Sequence, residues 1–300
     1  MKQINSLIAT LLLLVCLPAC TERIFLDNEG TTPRLVIIGL ISNTPAPYQI
    51  YLQNSSGKYF APPEESMNTA YTGGAEVWLD EELLVCTNPG IFHTRSNFQA
   101  QPGKKHTLTV RCDYNQDGRI EEYKASTVAP PIYKLDSISL LPVRSGSDFP
   151  AMLMLHYQDN IGKDYLCTYL TIAGKLYSDR ILRFGFLANE LLGDKDGAYR
   201  HVPVSNWILQ TKGMDHDNDS RMPIYRYDEL LVDLVAMCSE THTFMDAART
   251  QLGQSNPLFF GPRANLPTNF SGGALGLFGS YTMSNASLVV TSSELPEREK

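Results

Sequence analysis

The densest group of potential ligating oxygens is Asp113-Tyr114-Asn115-Gln116-Asp117-Gly118. Oxygen donors at the first, third and fifth positions, with a glycine at the sixth that lets the backbone turn sharply, make up the first half of a calcium-binding loop. The twelfth position breaks the pattern: it is Lys124, where a bidentate glutamate is needed, and Glu121 or Glu122 would have to serve from another geometry. The same residues also suit a plain hairpin turn, since Asp, Asn and Gly favour tight turns for backbone reasons alone. Asp215, Asp217 and Asp219 repeat the alternating carboxylates, without a following glycine and with Arg226 at the twelfth place. A second hard-cation site and a solvated acidic loop are the two readings there. No cofactor is implied apart from calcium at these loops.

Other chemistry finds little support. The chain contains no G-x-S-x-G, H-E-x-x-H, phosphate-binding loop or dinucleotide fingerprint, and no C-x-x-C. Its six histidines are scattered. The expectation is a protein that is not an enzyme. With 25 basic against 32 acidic side chains and a net charge of −7, it is not suited to hold a nucleic acid backbone. The alternative of a hydrolase whose site lies in residues 173–228 stays open, because that stretch follows no regular pattern.

The first twenty residues carry the clearest chemical signal. Lys2 gives a positive start, Leu7 to Leu17 an uncharged apolar run, and Leu17-Pro18-Ala19-Cys20 a small residue ahead of a cysteine. That is the order of a secretory signal, and its end resembles the bacterial lipobox, whose cysteine thiol is acylated before cleavage. Eleven residues as a helix would rise about 17 Å, against a hydrocarbon core of about 30 Å, so the segment is too short to span. Two or more acyl chains anchor a protein stably, at about 0.8 kcal/mol per buried CH₂. Lipidation is therefore expected at Cys20, making the lipid the membrane attachment. Once Cys16 leaves and Cys20 is acylated, Cys86, Cys112, Cys167 and Cys238 remain. Four cysteines allow three pairings; Cys86–Cys112 with Cys167–Cys238 keeps each bridge within one half, and four reduced, buried thiols are the competing reading.

The elements that must position these groups read as strands. After a signal at 1–19 and a tether at 20–33, short alternating runs follow one another: LVIIGLIS, YQIYLQ, AEVWLD, LLVCT, IFHT, HTLTVRC and EEYKASTV. Seven strands in about a hundred residues, divided by turns such as Asn88-Pro89-Gly90, predict an immunoglobulin-like β-sandwich over 34–129. Ala129-Pro130-Pro131 reads as a stiff linker. Residues 132–300 read as a larger, curled antiparallel β domain with one packed helix after Ser239, the expected N-cap, presenting Phe244, Ala247, Ala248 and Leu252 to a sheet. Aromatics flank the loop at 54–72 (Tyr48, Tyr51, Tyr59, Phe60, Tyr71), with Phe92 and Phe98 further along. Phe184, Phe186, Trp207, Tyr225 and Tyr227 surround the irregular region. They suit either a ligand platform or ordinary cores.

LVIIGLIS, GAEVWL, STVAPP, HYQDNIGKDYLCTY, QSNPLFFGP and above all NFSGGALGLFGSY are similar to segments of the Bacteroidota lipoproteins that carry domain of unknown function 4249. The resemblance runs over the mature chain. It implies an outer-membrane lipoprotein with a TonB-dependent transporter as partner; the body itself is expected to face the surface rather than the periplasm. It brings no catalytic residues and leaves the ligand open. The expected role is a binding or accessory component of nutrient uptake; an envelope scaffold or adhesin-like subunit is the structural alternative.

Overall fold

In a computed structural model of the chain, the described residues are 32–56, 68–142, 151–159, 165–176, 185–187, 199–209, 224–253, 266–292 and 297. Those from Thr32 onward belong to one compact unit. They are all-β apart from one helix. Cys20, Asp215, Asp217, Asp219, Tyr59, Phe60 and Phe184 lie outside the described residues, as does QSNPLFFGP.

One long sheet organises the body. β1 (Leu35–Ser42) pairs antiparallel with β2 (Gln49–Asn54), which carries β3 (Thr69–Ala70) and β7 (Ile91–His93); β6 (Val85–Asn88) closes that end. On its other side β1 pairs in parallel with β17 (Leu275–Val289), in the register Val36↔Leu275 to Ser42↔Tyr281. From Tyr281 onward β17 pairs instead with β16 (Glu229–Met237), and β16 with β12 (Tyr165–Ile172). β13 (Lys175–Leu176) and β14 (Gly185–Leu187) add to β12. Parallel neighbours need a crossover; here the crossover is nearly the whole chain.

Two smaller sheets pack on the long one. β4 (Ala75–Leu79), β5 (Glu82–Leu83), β8 (Lys105–Cys112) and β9 (Glu121–Val128) form the first, in the order β5-β4-β8-β9. The predicted alternation holds: Leu108, Val110 and Cys112 are buried, with Val77 and Leu79 beside them. β10 (Leu135–Pro142), β11 (Ala151–Gln158) and β15 (Tyr199–Leu209) form the second. Side chains alternate faces along a strand, so even-numbered Phe278 in the first core and Ala286 and Leu288 in the second put both small sheets on one face. The helix α1 (Ser239–Gly253) lies on the other, where Met245, Tyr281 and Met283 pack around Cys167, Val235 and Met237.

This modifies the division at residues 129 and 132. The boundary does separate two cores, one running from Leu35 to Ala129 and the other from Tyr133 to Val290. The first core is nevertheless completed by Phe270, Ala274 and Phe278 from the chain's end. Nor is the proline segment a loose spacer. Three hydroxyls at every second position of β17 strap it down: Ser280 to Thr127 (2.7 Å), Thr282 to the Pro131 carbonyl (2.8 Å), and Ser284 to the Tyr133 carbonyl. Prolines lack N–H groups, so side-chain donors supply the polar contacts.

Where β17 lacks a strand neighbour, an asparagine stands in. Past the end of β1, Asn43 Oδ1 accepts the Met283 N–H (2.7 Å) and its Nδ2 donates to the Met283 carbonyl (3.0 Å). On the opposite edge, before β16 begins, Asn269 does the same for Phe278.

The helix begins one residue earlier than expected: the His242 N–H bonds the Cys238 carbonyl, so Cys238 is the cap and Ser239 turns to Glu240. Thr241, buried and bonded to the Ser280 carbonyl, fixes the first turn. Thr241 and Met245 therefore belong to the face against the sheet, while Phe244, Ala247 and Ala248 of the expected stripe are half-buried. Thr168 on β12 is fully buried, faces the second core and has no hydrogen-bond partner among the described residues. A hydroxyl desolvated without compensation costs stability. Thr168→Val is expected to stabilise the protein by about 1 kcal/mol, read as a higher denaturation midpoint; a lower midpoint would mean the hydroxyl is satisfied.

Candidate binding site at the end of the first sandwich

The register Ala75↔Cys112↔Glu121 brings the starts of β4 and β9 together with the end of β8. The Asp113–Ile120 connection therefore projects from one end of the sandwich. Arg34 lies at the same end, its guanidinium bonded to the Gly273 carbonyl (2.9 Å from Nε).

Three carboxylates converge in that hairpin: Asp113, Asp117 and Glu121 each offer an oxygen within 4.8 Å of the others. Glu121, at the ninth position, completes the group, while Glu122 points to Lys124 (2.6 Å) and Arg111 (3.8 Å). Much of the donor set is already engaged. Asp113 accepts the Asp117 and Gly118 N–H groups at 3.0 and 2.9 Å, and Glu121 accepts the Tyr114 N–H at 2.8 Å. The Asn115 amide nitrogen donates to Glu121, which leaves its carbonyl oxygen as the atom with which it could serve an ion.

Beside the hairpin lies a pocket of about 450 Å³, walled by Tyr71, Gly73 and Ala75 on one side and Cys86, Asn88 and Gly90 on the other. The Asn88-Pro89-Gly90 turn shapes its rim. Gly90 has φ +72°, and a Cβ there would sit 2.4 Å from the Leu52 carbonyl oxygen, so no larger residue fits.

Tyr71 joins pocket to hairpin. Its ring lies 5.8 Å from that of Tyr114, and its hydroxyl is hydrogen-bonded to Cys112. Burial, then the nearby Cys112, Asp113 and Glu121, push the Tyr71 phenol up to about 12. Burial first raises Tyr123 to about 12 and the Cys112 thiol to about 11. A general base works best with a pKa near the ambient pH. These groups stay protonated at neutrality, which suits hydrogen bonding to a ligand better than proton transfer.

The other predicted residues disperse. Neither expected disulfide forms; Cys86, Cys112, Cys167 and Cys238 are all unpaired. Cys86 is exposed on the long sheet while Cys112 faces the core from the small one. Cys167 sits opposite Val235, three residues from Cys238, and an odd offset puts the two on opposite faces. Cys238 instead contacts Thr127 (3.2 Å) and Thr241 (3.0 Å). Tyr48, Phe92 and Phe98 are core residues. Tyr227 is exposed, with the Arg226 guanidinium 4.8 Å from its ring centre. The pocket itself was hidden from sequence reasoning. The YTGGA and NPG turns are each visible, but only strand register shows that they meet.

The family model described as Domain of unknown function (DUF4249) matches residues 21–287. No curated protein matches. Among solved structures, the chain is similar to the crystal structure of chicken CNTN1 FN1-FN3 domains, at 12% identity and a TM-score of 0.26. The match covers 87% of this chain and 66% of that one, just under two thirds of its length.

Proposed function

The chain belongs to the DUF4249 family, and from that premise we propose a lipid-anchored binding protein of the outer membrane, an accessory to a TonB-dependent transporter in nutrient uptake. The observation that carries the binding part is the pocket between Tyr71 and the Asn88–Gly90 turn, whose neighbouring phenols and thiol are held in their neutral, protonated forms. The lipobox-like ending at Cys20 supports the anchor, and the family resemblance supports the transporter. Affinity purification from detergent-solubilised membranes of the native host tests the partnership. A transporter recovered in near-stoichiometric amount is the expected result; repeated recovery without one would remove the accessory role.

A divalent cation at Asp113, Asp117 and Glu121 forms a subordinate part of this reading, since three carboxylates within 4.8 Å repel one another without a counter-charge. Millimolar calcium is expected to raise the melting temperature by a few degrees relative to chelator, and Asp117→Asn to abolish the rise. Superimposable melting curves would take calcium out of the hairpin.

A further inference from the structure

The pocket opens where two paired segments of the chain part. β4 and β5 pair as Leu79↔Glu82 and Trp78↔Leu83, and the Leu84 N–H still reaches the Val77 carbonyl at 2.8 Å. Continued, that register would set Ala75 opposite Cys86. Instead β6 leaves to pair with β7, Cys86 opposite Phe92, and a register shift between Cys86 and Asn88 bends the strand. The pocket lies in the gap, with Ala75 on one wall and Cys86 on the other.

The ladder bonds that would have closed this gap stay unmade. Residues of an antiparallel pair alternate between those that exchange hydrogen bonds and those that do not. The Asp80 N–H bonds the Thr107 carbonyl (2.8 Å), so even-numbered residues of β4 bond β8 and Ala75 turns its N–H and C=O toward the gap. On the other wall, Gly90 and Thr94 bond Leu52 and Tyr48, so Phe92 between them directs its main-chain groups to Ile50. Cys86, opposite Phe92, therefore turns its own N–H and C=O away from β7. Neither of these residues has another main-chain partner among the described residues.

We propose, on the premise that this pocket is the protein's ligand site, that its ligand is a short uncharged peptide. It is held extended in the gap and bonded through its main chain to Ala75 on one side and Cys86 on the other. A strand added to an open edge gains its affinity from such main-chain bonds, and here both walls offer a donor and an acceptor. The walls carry no acidic or basic side chain, in a chain of net charge −7, so a charged residue would be desolvated there without a partner. A volume of about 450 Å³, in the lower part of the range of about 300–1,000 Å³ for ligand sites, suits a few residues rather than a folded partner.

The exposed thiol of Cys86 reports occupancy. Full-length protein is treated with a maleimide, and labelling is read on the Cys86 peptide by mass spectrometry. The probe is a millimolar pool of acetylated, amidated tetrapeptides built from alanine, valine, leucine, threonine and glutamine. It should slow labelling by about fivefold or more, as mass action requires when the pool stands well above its dissociation constant. The same pool methylated at every main-chain nitrogen should not slow it, nor should maltose. Ala75→Pro removes the N–H facing the gap and takes no bond from β8; it should lose the protection while keeping the wild-type circular dichroism. Should that variant misfold, the methylated pool decides alone. An unchanged labelling rate with the unmethylated pool overturns the proposal. So does equal protection by the methylated pool, or protection retained in folded Ala75→Pro, because the main chain would then not be what is read. Protection by maltose alone would keep the pocket as a binding site and overturn the peptide as its ligand.

Discussion

Gly276→Ala is expected to cost about 4 kcal/mol, enough to unfold a large fraction of a marginally stable body. Gly276 lies opposite Ile37 in the parallel β1–β17 pair and has φ +108°, a conformation that side-chain-bearing residues avoid. A Cβ there would stand 2.0 Å from the Ile37 carbonyl oxygen and 2.8 Å from its carbon. The obstacle is backbone within a ladder, so it cannot swing aside as a side chain would. Relief would require parting β1 from β17, the seam through which the end of the chain completes the core built by its beginning. Gly74→Ala is the matched control, because a Cβ there meets nothing within 4 Å, and it should stay within about 0.5 kcal/mol of wild type. Equal midpoints for the two variants in urea titrations would mean that the seam is not built this way.

Asn269→Leu is expected to cost about 3 kcal/mol, by leaving a buried donor and acceptor without partners. The Asn269 amide donates to the Phe278 carbonyl at 2.7 Å and accepts the Phe278 N–H at 3.0 Å, and Phe278 is fully buried. Asn269→Asp separates the two bonds. Its carboxylate can still accept from the N–H but faces the Phe278 carbonyl oxygen with negative charge. Once protonated, its O–H can donate to that oxygen. The folded state would then hold the introduced proton more tightly than the unfolded chain, so the folded pKa is raised. The deficit relative to wild type should therefore be largest at neutral pH and shrink as pH falls through that raised pKa. A deficit that does not change between pH 7 and pH 4 would show that the donor half of the clasp contributes nothing.

Local patterns in the sequence carry the strands well. Leu108, Val110 and Cys112 point inward as their alternation predicts, and Asn88-Pro89-Gly90 turns where three turn-forming residues should turn it. What the patterns lack is partnership over distance. Val36 and Leu275 pair across 239 positions, and no local periodicity records that. The hydroxyls of Ser280, Thr282 and Ser284 look like ordinary strand residues until Thr127, Pro131 and Tyr133 are found beneath them. The disulfide expectation fails for the same reason. Cysteine counting sees compartment and number, whereas the direction of each side chain depends on register, and register sets Cys167 and Cys238 on opposite faces. In the acidic hairpin, spacing located Asp113 and Asp117 and left the remaining carboxylate between Glu121 and Glu122. Register decides between them: Glu121 opens β9 opposite Cys112 and joins the two aspartates, while Glu122 faces Lys124 and Arg111.

The functional reading depends on acylation of the thiol at Cys20. Growth of the native host with an alkyne-bearing fatty acid, followed by click labelling and membrane fractionation, tests it most directly. Wild-type protein should carry the label and sediment with the outer membrane, and Cys20→Ser should lose both. A Cys20→Ser protein that still carries label, or still sediments with the outer membrane as wild type does, would contradict the lipid anchor and the transport partnership proposed from it.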